Sequence, residues 1–236
     1  MSVARRLENV RQRICAAARS AGRDPDEVTL IGVCKRQPIE RIFEAHDHGV
    51  REFGENTVQG LAATARALAS SGRDVRWHYV GRLQRNKIRK LLPYLGLLQT
   101  VDRGDLVAAL DQRLLAGSAG VDVLVQVNVG REPQKGGVDP DDAIALARTV
   151  ARRSKLHLLG LMGMPPFDAD PKPYFELLAQ LSRQLQTIPE GQGATVLSMG
   201  MTDDFETAIA CGATHVRVGT AIFGERATNS APPIGG

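Results

Sequence analysis

The sequence predicts an α/β protein, a single (β/α)8 TIM barrel with an extra N-terminal helix. Short β-branched or apolar runs alternate with helical patterns from Val28 almost to the end of the chain. Eight such units fill roughly 200 residues, close to the ~250 residues that this barrel typically takes. The rival fold, a doubly wound open sheet, would carry a glycine-rich phosphate turn after its first strand, and the sequence there reads CKRQP.

The eight predicted strands are short runs with the composition of buried strands. The first, VTLIGVC, ends directly before Lys35. In order, the predicted ranges are 28–34, 51–56, 76–81, 97–102, 122–129, 156–162, 195–200 and 214–219.

Apolar stripes at helical spacing fill the intervals between strands. The extra N-terminal helix precedes the first strand and carries Leu7, Val10, Ile14 and Ala17 along one face. The later stripes begin near Ile39, Val58, Ile88, Leu106, Ile144 and Tyr174, and one more follows Thr202.

Proline and capping residues set the expected helix boundaries. Pro38 stands at a first helical position, and Asp139 followed by Pro140 is a cap with proline at the next position. Pro93 is expected to end or bend its helix. Thr202 is expected to cap the helix after the seventh strand.

Length and composition indicate one domain. The 236 residues are 43% hydrophobic and 24% charged, which is typical of a globular protein. We predict one domain over 1–226 and a disordered tail over 227–236. No apolar run approaches the roughly 18 residues of a membrane span, and the first twenty residues carry charges throughout, unlike a secretory signal. We therefore expect a cytoplasmic protein without a membrane partner.

Charge and cysteine content exclude several function classes. Cys15, Cys34 and Cys211 are far apart, so neither a metal-type pair nor a disulfide framework is indicated. The net charge is +4, but basic and acidic residues are interspersed, so nucleic-acid binding is not expected.

Lys35 is the first candidate functional residue. It follows a predicted barrel strand at the carboxyl end, where the active sites of such barrels lie. An amine among apolar neighbours loses hydration, which favours the neutral form that attacks carbonyls and forms Schiff bases. The alternative is a lysine that extends to solvent from a strand end.

Two glycine-bearing loops at the other end of the chain predict a phosphate site. Barrel enzymes often bind phosphate with the loops after strands 7 and 8. Those loops read LSMGMTDD and VRVGTAIFGE, in which Ser198 and Thr220 supply hydroxyl groups and Gly219 leaves space for backbone contact. Strand 8 neighbours strand 1 in a closed barrel, so an amine and a phosphate pocket would be adjacent. Both pyridoxal 5'-phosphate (PLP) and a sugar phosphate of a Schiff-base aldolase fit this pattern.

Arg217 is predicted to point into the barrel, alternating with Val216 and Val218 on the outer face. A buried guanidinium needs a partner, which is either a carboxylate or a pyridine nitrogen. Against a pyridine nitrogen, it would keep that nitrogen unprotonated and make the cofactor a weak electron sink.

With these residues in place, the sequence resembles the pyridoxal phosphate homeostasis protein family and, in outline, the N-terminal barrel of alanine racemases. The resemblance spans about residues 5 to 226. Its segments are VTLIGVCK, FGENTVQ, WHYVGRLQRNK, VLVQVNVG followed by QKGGV, GLMGMPP and LSMGMTDDFETAIACGATHVRVGTAIFGER.

The resemblance implies a PLP site and no metal site. Lys35 would carry PLP as an internal Schiff base, with Arg217 at the pyridine nitrogen. Phosphate contacts would come from the loops after strands 7 and 8. The implied cofactor-binding residues are Lys35, Asn56, Ser198, Met199, Arg217, Gly219 and Thr220.

Some positions differ from the family pattern. Cys34 and Gln37 stand where the family often has a serine and a second lysine, and Arg82 replaces a histidine. Lys135 matches a lysine of the family's flexible loop, which is linked to cofactor exchange.

The resemblance also implies a carrier of PLP with no catalytic residues of its own. A racemase needs bases on both faces of its substrate, and the predicted barrel leaves no residues for the domain that supplies the second base. A lone barrel would exclude water poorly. We expect a monomer that maintains intracellular vitamin B6 and supplies PLP to apoenzymes. The alternative is a low-activity PLP-dependent amino-acid racemase.

Overall fold

The computed structural model describes residues 1–114 and 120–225, which contain a closed barrel of eight parallel strands. The strands are β1 (Thr29–Val33), β2 (Glu52–Glu55), β3 (Arg76–Tyr79), β4 (Leu97–Val101), β5 (Val121–Val127), β6 (Leu156–Gly163), β7 (Val196–Ser198) and β8 (His215–Val218). Each strand pairs with the next, and β8 pairs with β1, where Arg217 lies opposite Ile31. The predicted (β/α)8 barrel is confirmed, and each strand stays within its predicted range or exceeds it by one residue.

Helices alternate with the strands around the outside. They are α1 (Val3–Ser20), α2 (Ile39–Asp47), α3 (Val58–Ser70), α4 (Ile88–Leu91), α5 (Gly104–Arg113), α6 (Ala143–Ala151), α7 (Lys172–Gln186), α8 (Phe205–Ala210) and α9 (Thr220–Phe223). The extra helix α1 is present, and it packs against α8 and α9. The Arg13 guanidinium lies 4.5 Å from the centre of the Phe205 ring and pairs with Glu206 at 2.6 Å, which fixes α1 to α8.

Two of the four predicted helix boundaries agree with the structure. Pro93 lies in the 3₁₀ turn that follows α4, and the Asp139 carboxylate accepts the Asp141 N–H in the turn that leads into α6. Pro38 is off by one residue, because it is the N-cap of α2 and not its first helical residue. The cap at Thr202 was wrong. A turn intervenes, α8 begins at Phe205, and Asp204 occupies the capping position.

The barrel separates two cores. The larger one lies between the strands and the helices and includes Phe53, Trp77 and Phe205. The smaller one lies inside the barrel and contains Leu97, Leu124 and Met162. Polar side chains share this interior, and by strand alternation they are His78, Gln99, Gln126, Ser198 and Arg217, all buried. A polar interior is unusual beside the branched aliphatic residues that commonly fill such barrels.

The predicted tail over 227–236 lies outside the described residues. No helix in the described ranges has the length and apolar character that crossing a membrane requires.

Candidate functional site

A tight turn holds Lys35 at the carboxyl end of β1. The Gln37 N–H donates to the Cys34 carbonyl at 3.0 Å, which closes the turn around Lys35 and Arg36. Arg36 has φ +55°, a left-handed conformation that costs a non-glycine residue energy and is often retained near functional sites. Cys34, on the other side of the sheet, is buried among the helices. The turn therefore directs Lys35 toward the barrel mouth, as predicted.

Asn56 is the direct partner of Lys35. In the amide orientation that satisfies both neighbours, the Asn56 oxygen accepts from Lys35 Nζ at 3.0 Å and its nitrogen donates to Glu55 Oε1 at 3.0 Å. The Glu55 carboxylate also accepts the backbone N–H groups of Asn56 at 2.7 Å and Thr57 at 3.2 Å. Burial raises the pKa of Glu55, while these hydrogen bonds and the nearby Lys35 charge act in the opposite direction. Glu55, quoted in the FGEN segment but not assigned a role there, fixes the Asn56 amide.

A close backbone approach locks Asn56 in place. A Cβ atom on Gly81 would lie 2.0 Å from the Asn56 carbonyl oxygen, so only glycine fits where the chain leaves β3.

Lys35 and Arg217 line one open cleft of about 330 Å³ at the carboxyl ends of the strands. Gly219 and Thr220 line it as well. The remaining lining residues are Val33, Gln37, Val80, Met162, Met164, Phe167, Met201, Thr202 and Asp203. Phe167, which is 91% exposed, stands at the rim. Most of these additional residues follow strand ends, which was the available sequence signal, but strand ends alone do not show which side chains converge.

The end of the cleft near β8 is suited to an anion. A Cβ atom on Gly219 would lie 3.1 Å from the Val33 carbonyl oxygen, so the two strand ends approach closely. Helix α9 begins at Thr220, and the first N–H groups of a helix have no carbonyl partner within it. The Ala221 N–H makes a long contact of 3.4 Å to the Thr202 hydroxyl.

Arg217 is buried behind the cleft and remains cationic at neutral pH. Its guanidinium donates to the Ser198 hydroxyl at 2.7 Å and to the Gly163 carbonyl at 3.0 Å. Burial lowers the pKa of Arg217 to about 10. The bonds to Ser198 and Gly163 are its two side-chain hydrogen bonds within the described residues, and Arg217 also lines the cleft.

Asn56, Ser198 and Met199 are not among the residues that line the cleft. The Ser198 hydroxyl accepts from Arg217 and donates to Gln99 Oε1 at 2.7 Å, so it is engaged inside the barrel. The Met199 side chain is fully buried in the outer core. Their assignment as cofactor contacts stays a prediction.

Lys135 also lies outside the cleft lining. Its amine pairs with the Glu132 carboxylate at 2.6 Å and donates to the Pro165 carbonyl at 3.2 Å. Gln126 donates to the Gly136 carbonyl at 3.1 Å and so anchors the same loop to the barrel. Lys135 thus connects the loop after β5 to the loop after β6.

Known proteins resemble nearly the whole of this chain. Residues 6–227 match the family described as "Alanine racemase, N-terminal domain". A pyridoxal phosphate homeostasis protein of Aquifex aeolicus is 39% identical over 229 residues, covering 96% of this chain and 99% of that protein. One of Escherichia coli is 38% identical over 226 residues, with 95% and 97% covered. The solved structure of PipY from Synechococcus elongatus with PLP bound has a TM-score of 0.82 at 32% identity and covers 94% of this chain and 100% of that one.

Proposed function

Because this chain belongs to the pyridoxal phosphate homeostasis protein family, we propose that it holds PLP reversibly on Lys35 and maintains intracellular PLP. The observation that carries the proposal is the convergence of an amine, a guanidinium and the first turn of α9 on one cleft. PLP has an aldehyde, a pyridine nitrogen and a phosphate, and it supplies an electron sink for amines when bound.

The residues present fit this cofactor. Lys35 would join the aldehyde as a Schiff base, with loss of water, and Arg217 would face the pyridine nitrogen. Gly219 and Thr220 would hold the phosphate through backbone N–H groups and the Thr220 hydroxyl. The cleft volume of about 330 Å³ lies at the lower end of the range for small-molecule sites. The lining carries two cationic side chains, Lys35 and Arg217, and one acidic side chain, Asp203, so positive charge is in excess.

Asn56 has a defined part in this scheme. Its oxygen, held by the Asn56–Glu55 contact, accepts a hydrogen bond from Lys35 Nζ and so orients the nitrogen. Lys35 must lose its ammonium proton before it attacks an aldehyde.

A carrier role is favoured over racemisation by the composition of the cleft. Besides Lys35 and Arg217, the described lining offers one ionisable side chain, Asp203. A racemase requires two competent bases on opposite sides of the substrate. The exposed rim at Phe167 also leaves the site open to water, which suits exchange with apoenzymes better than carbanion chemistry. Cytoplasmic location, a monomeric state and delivery to apoenzymes are part of this proposal.

Trapping the lysine tests the attachment. Wild-type protein incubated with PLP should show a visible absorbance band, and borohydride should fix the cofactor to the peptide that contains Lys35, detected by mass spectrometry. Lys35→Ala should lose both signals, whereas Lys172→Ala, an exposed lysine on α7, should keep them. A wild-type protein that stays colourless with added PLP contradicts the proposal.

Turnover separates the carrier from the racemase. Purified protein loaded with PLP should leave D- and L-amino acids unchanged while restoring activity to a PLP-dependent apoenzyme. Lys35-dependent racemisation at an ordinary enzymatic rate, roughly 1 per second or faster, would favour the alternative.

A further inference from the structure

A chain of buried hydrogen bonds leads from Arg217 through the barrel interior. Arg217 Nη1 donates to Ser198 Oγ at 2.7 Å, and Ser198 Oγ contacts Gln99 Oε1 at 2.7 Å. Gln99 Nε2 contacts His78 Nδ1 at 2.8 Å, and His78 Nε2 contacts the Glu52 carboxylate. The three middle members have no exposed surface. Glu52 is the first residue of β2 and its side chain is 25% exposed, so the chain ends at the barrel face opposite the cleft.

The chemistry of the two end groups, a guanidinium and a carboxylate, determines which atom carries each proton in this chain of hydrogen bonds. A guanidinium only donates, so Ser198 Oγ must accept from Arg217 and its own proton is free to go to Gln99 Oε1. The Gln99 amide nitrogen then faces His78 and donates to Nδ1. His78 therefore carries its proton on Nε2 and donates it to the Glu52 carboxylate. All donors point the same way, from the cation toward the anion.

The opposite arrangement would leave groups unsatisfied. With the Gln99 amide reversed, its nitrogen would donate to Ser198, whose proton would lose its acceptor. The Gln99 oxygen would then need a proton on His78 Nδ1, making His78 an imidazolium. Burial lowers the pKa of His78, which favours the neutral ring and the first arrangement.

We propose that His78, Gln99 and Ser198 are positioning residues that hold Arg217 in one orientation for the ligand, and that the proton position on His78 sets this orientation. The inference rests on the proposed function, because it takes the ring of PLP as the group that Arg217 meets. Breaking the chain at Gln99 should weaken PLP binding although Gln99 does not line the cleft.

The charged groups around His78 determine the pH at which His78 is protonated and the directions of these hydrogen bonds reverse. Glu52 on β2 favours the imidazolium, while Arg76 on β3 opposes it. His215 on β8 lies close, with ring centres 6.2 Å apart, and Arg217 adds a further positive charge on that strand. Gln99 on β4 contributes no charge. Protonation of His78 at low pH would turn the Gln99 amide and leave the Ser198 proton without an acceptor, which weakens the support behind Arg217, so PLP affinity should fall together with His78 protonation.

Nitrogen NMR of the apoprotein tests the proposed hydrogen-bond directions without the cofactor. In protein labelled with ¹⁵N-histidine, His78 at neutral pH should show a protonated Nε2 and an unprotonated Nδ1. A neutral His78 with its proton on Nδ1, or an imidazolium, would overturn the proposed chain whether or not PLP binds.

Two substitutions at Gln99 test its effect on the site. Gln99→Met has nearly the same shape and makes neither hydrogen bond, so PLP affinity should fall roughly tenfold. Gln99→Glu places a carboxylate oxygen against Nδ1, so His78 should become an imidazolium at neutral pH while Ser198 keeps its acceptor and Arg217 its partner. Affinity in Gln99→Glu should therefore exceed that of Gln99→Met.

The matched control is Gln126→Met, the same change on the adjacent strand at a residue that bonds to the Gly136 carbonyl. It should leave the His78 spectrum unchanged and PLP affinity within about twofold of wild type. Wild-type affinity in a folded Gln99→Met variant would overturn the positioning role. If Gln99→Met does not fold, an unchanged His78 spectrum in Gln99→Glu would overturn it instead. Absence of PLP binding by the wild type would contradict the proposed function and leave the NMR result to stand by itself.

Discussion

At the scale of single residues, burial decides which groups react. Cys34 directly precedes Lys35, yet the two side chains lie on opposite sides of the sheet. Burial, and secondly the charge of Glu55, raises the pKa of the Cys34 thiol. The thiol points toward the Gly54 carbonyl at 3.5 Å and has no access to the cleft.

We predict that Cys34 resists alkylation in the folded protein. Iodoacetamide should modify the partly exposed Cys15 and Cys211 at least tenfold faster, because attack requires a thiolate that the reagent can reach. Peptide mass spectrometry in native buffer and in denaturant measures this. Rapid native labelling of Cys34 would mean that the β1 end opens far more often than its packing indicates.

The position of Ser198 below the barrel mouth could not be predicted from the sequence pattern. In the structure, alternation along strand 7 puts Ser198 inside the barrel and Met199 outside. It does not state how far below the mouth an inward residue lies, because depth depends on the tilt and stagger of the strands. Ser198 lies low enough to support Arg217 from behind. The partners Gln99 and His78 come from strands far away in sequence, so only the closed barrel reveals them.

At the scale of elements, the cleft is formed by the carboxyl ends of strands that pack closely together in the barrel. Periodicity predicted all eight strands because each is a short run that contains buried residues between two helical patterns. The start of α8 was missed because Thr202, Asp203 and Asp204 are all good capping residues. The contact that selects Asp204, from the Met201 N–H to its carboxylate at 2.5 Å, depends on the turn itself.

Gly81→Ala should disturb the site through the backbone. The added Cβ would lie 2.0 Å from the Asn56 carbonyl oxygen, so Asn56 must move and Lys35 loses its partner. We expect a loss of about 1–3 kcal/mol in the free energy of unfolding together with weaker PLP binding, measured by urea denaturation and titration. Gly104→Ala is the control, because no heavy atom lies within 4 Å of its Cβ position in the first turn of α5. Equal effects of the two changes would argue against the packing explanation.

At the scale of the whole molecule, burial in the barrel lowers the pKa of two histidines, His78 and His215. Burial, and secondly the neighbouring His78, lowers the pKa of His215 from 6.5 to about 4. The unfolded chain binds a proton at His215 near pH 6.5, and the folded chain does so only near pH 4. Between these values the unfolded state holds more protons, so acid favours unfolding.

We therefore predict that stability falls as pH decreases from about 6.5 to about 4, with His215 contributing up to about 3 kcal/mol. Glu55 acts in the opposite sense, because its raised pKa makes the folded state bind protons in the acid range. Urea denaturation at several pH values measures the sum, and His215→Gln isolates the histidine. The variant should show a flatter pH dependence than wild type. An unchanged slope would indicate that His215 is already hydrated in the folded protein.

The pairing of β8 with β1 closes the barrel, and it can form only late in the synthesis of the chain. Lys35 is synthesised early, whereas Gly219 and Thr220 leave the ribosome about 180 residues later, roughly 10–40 s at ~5–20 residues per second. Until the final strand has docked beside the first, the amine has no anion-binding neighbour. On the proposed function, a nascent chain therefore offers only a solitary lysine, and we expect PLP to be retained only after β8 has docked beside β1.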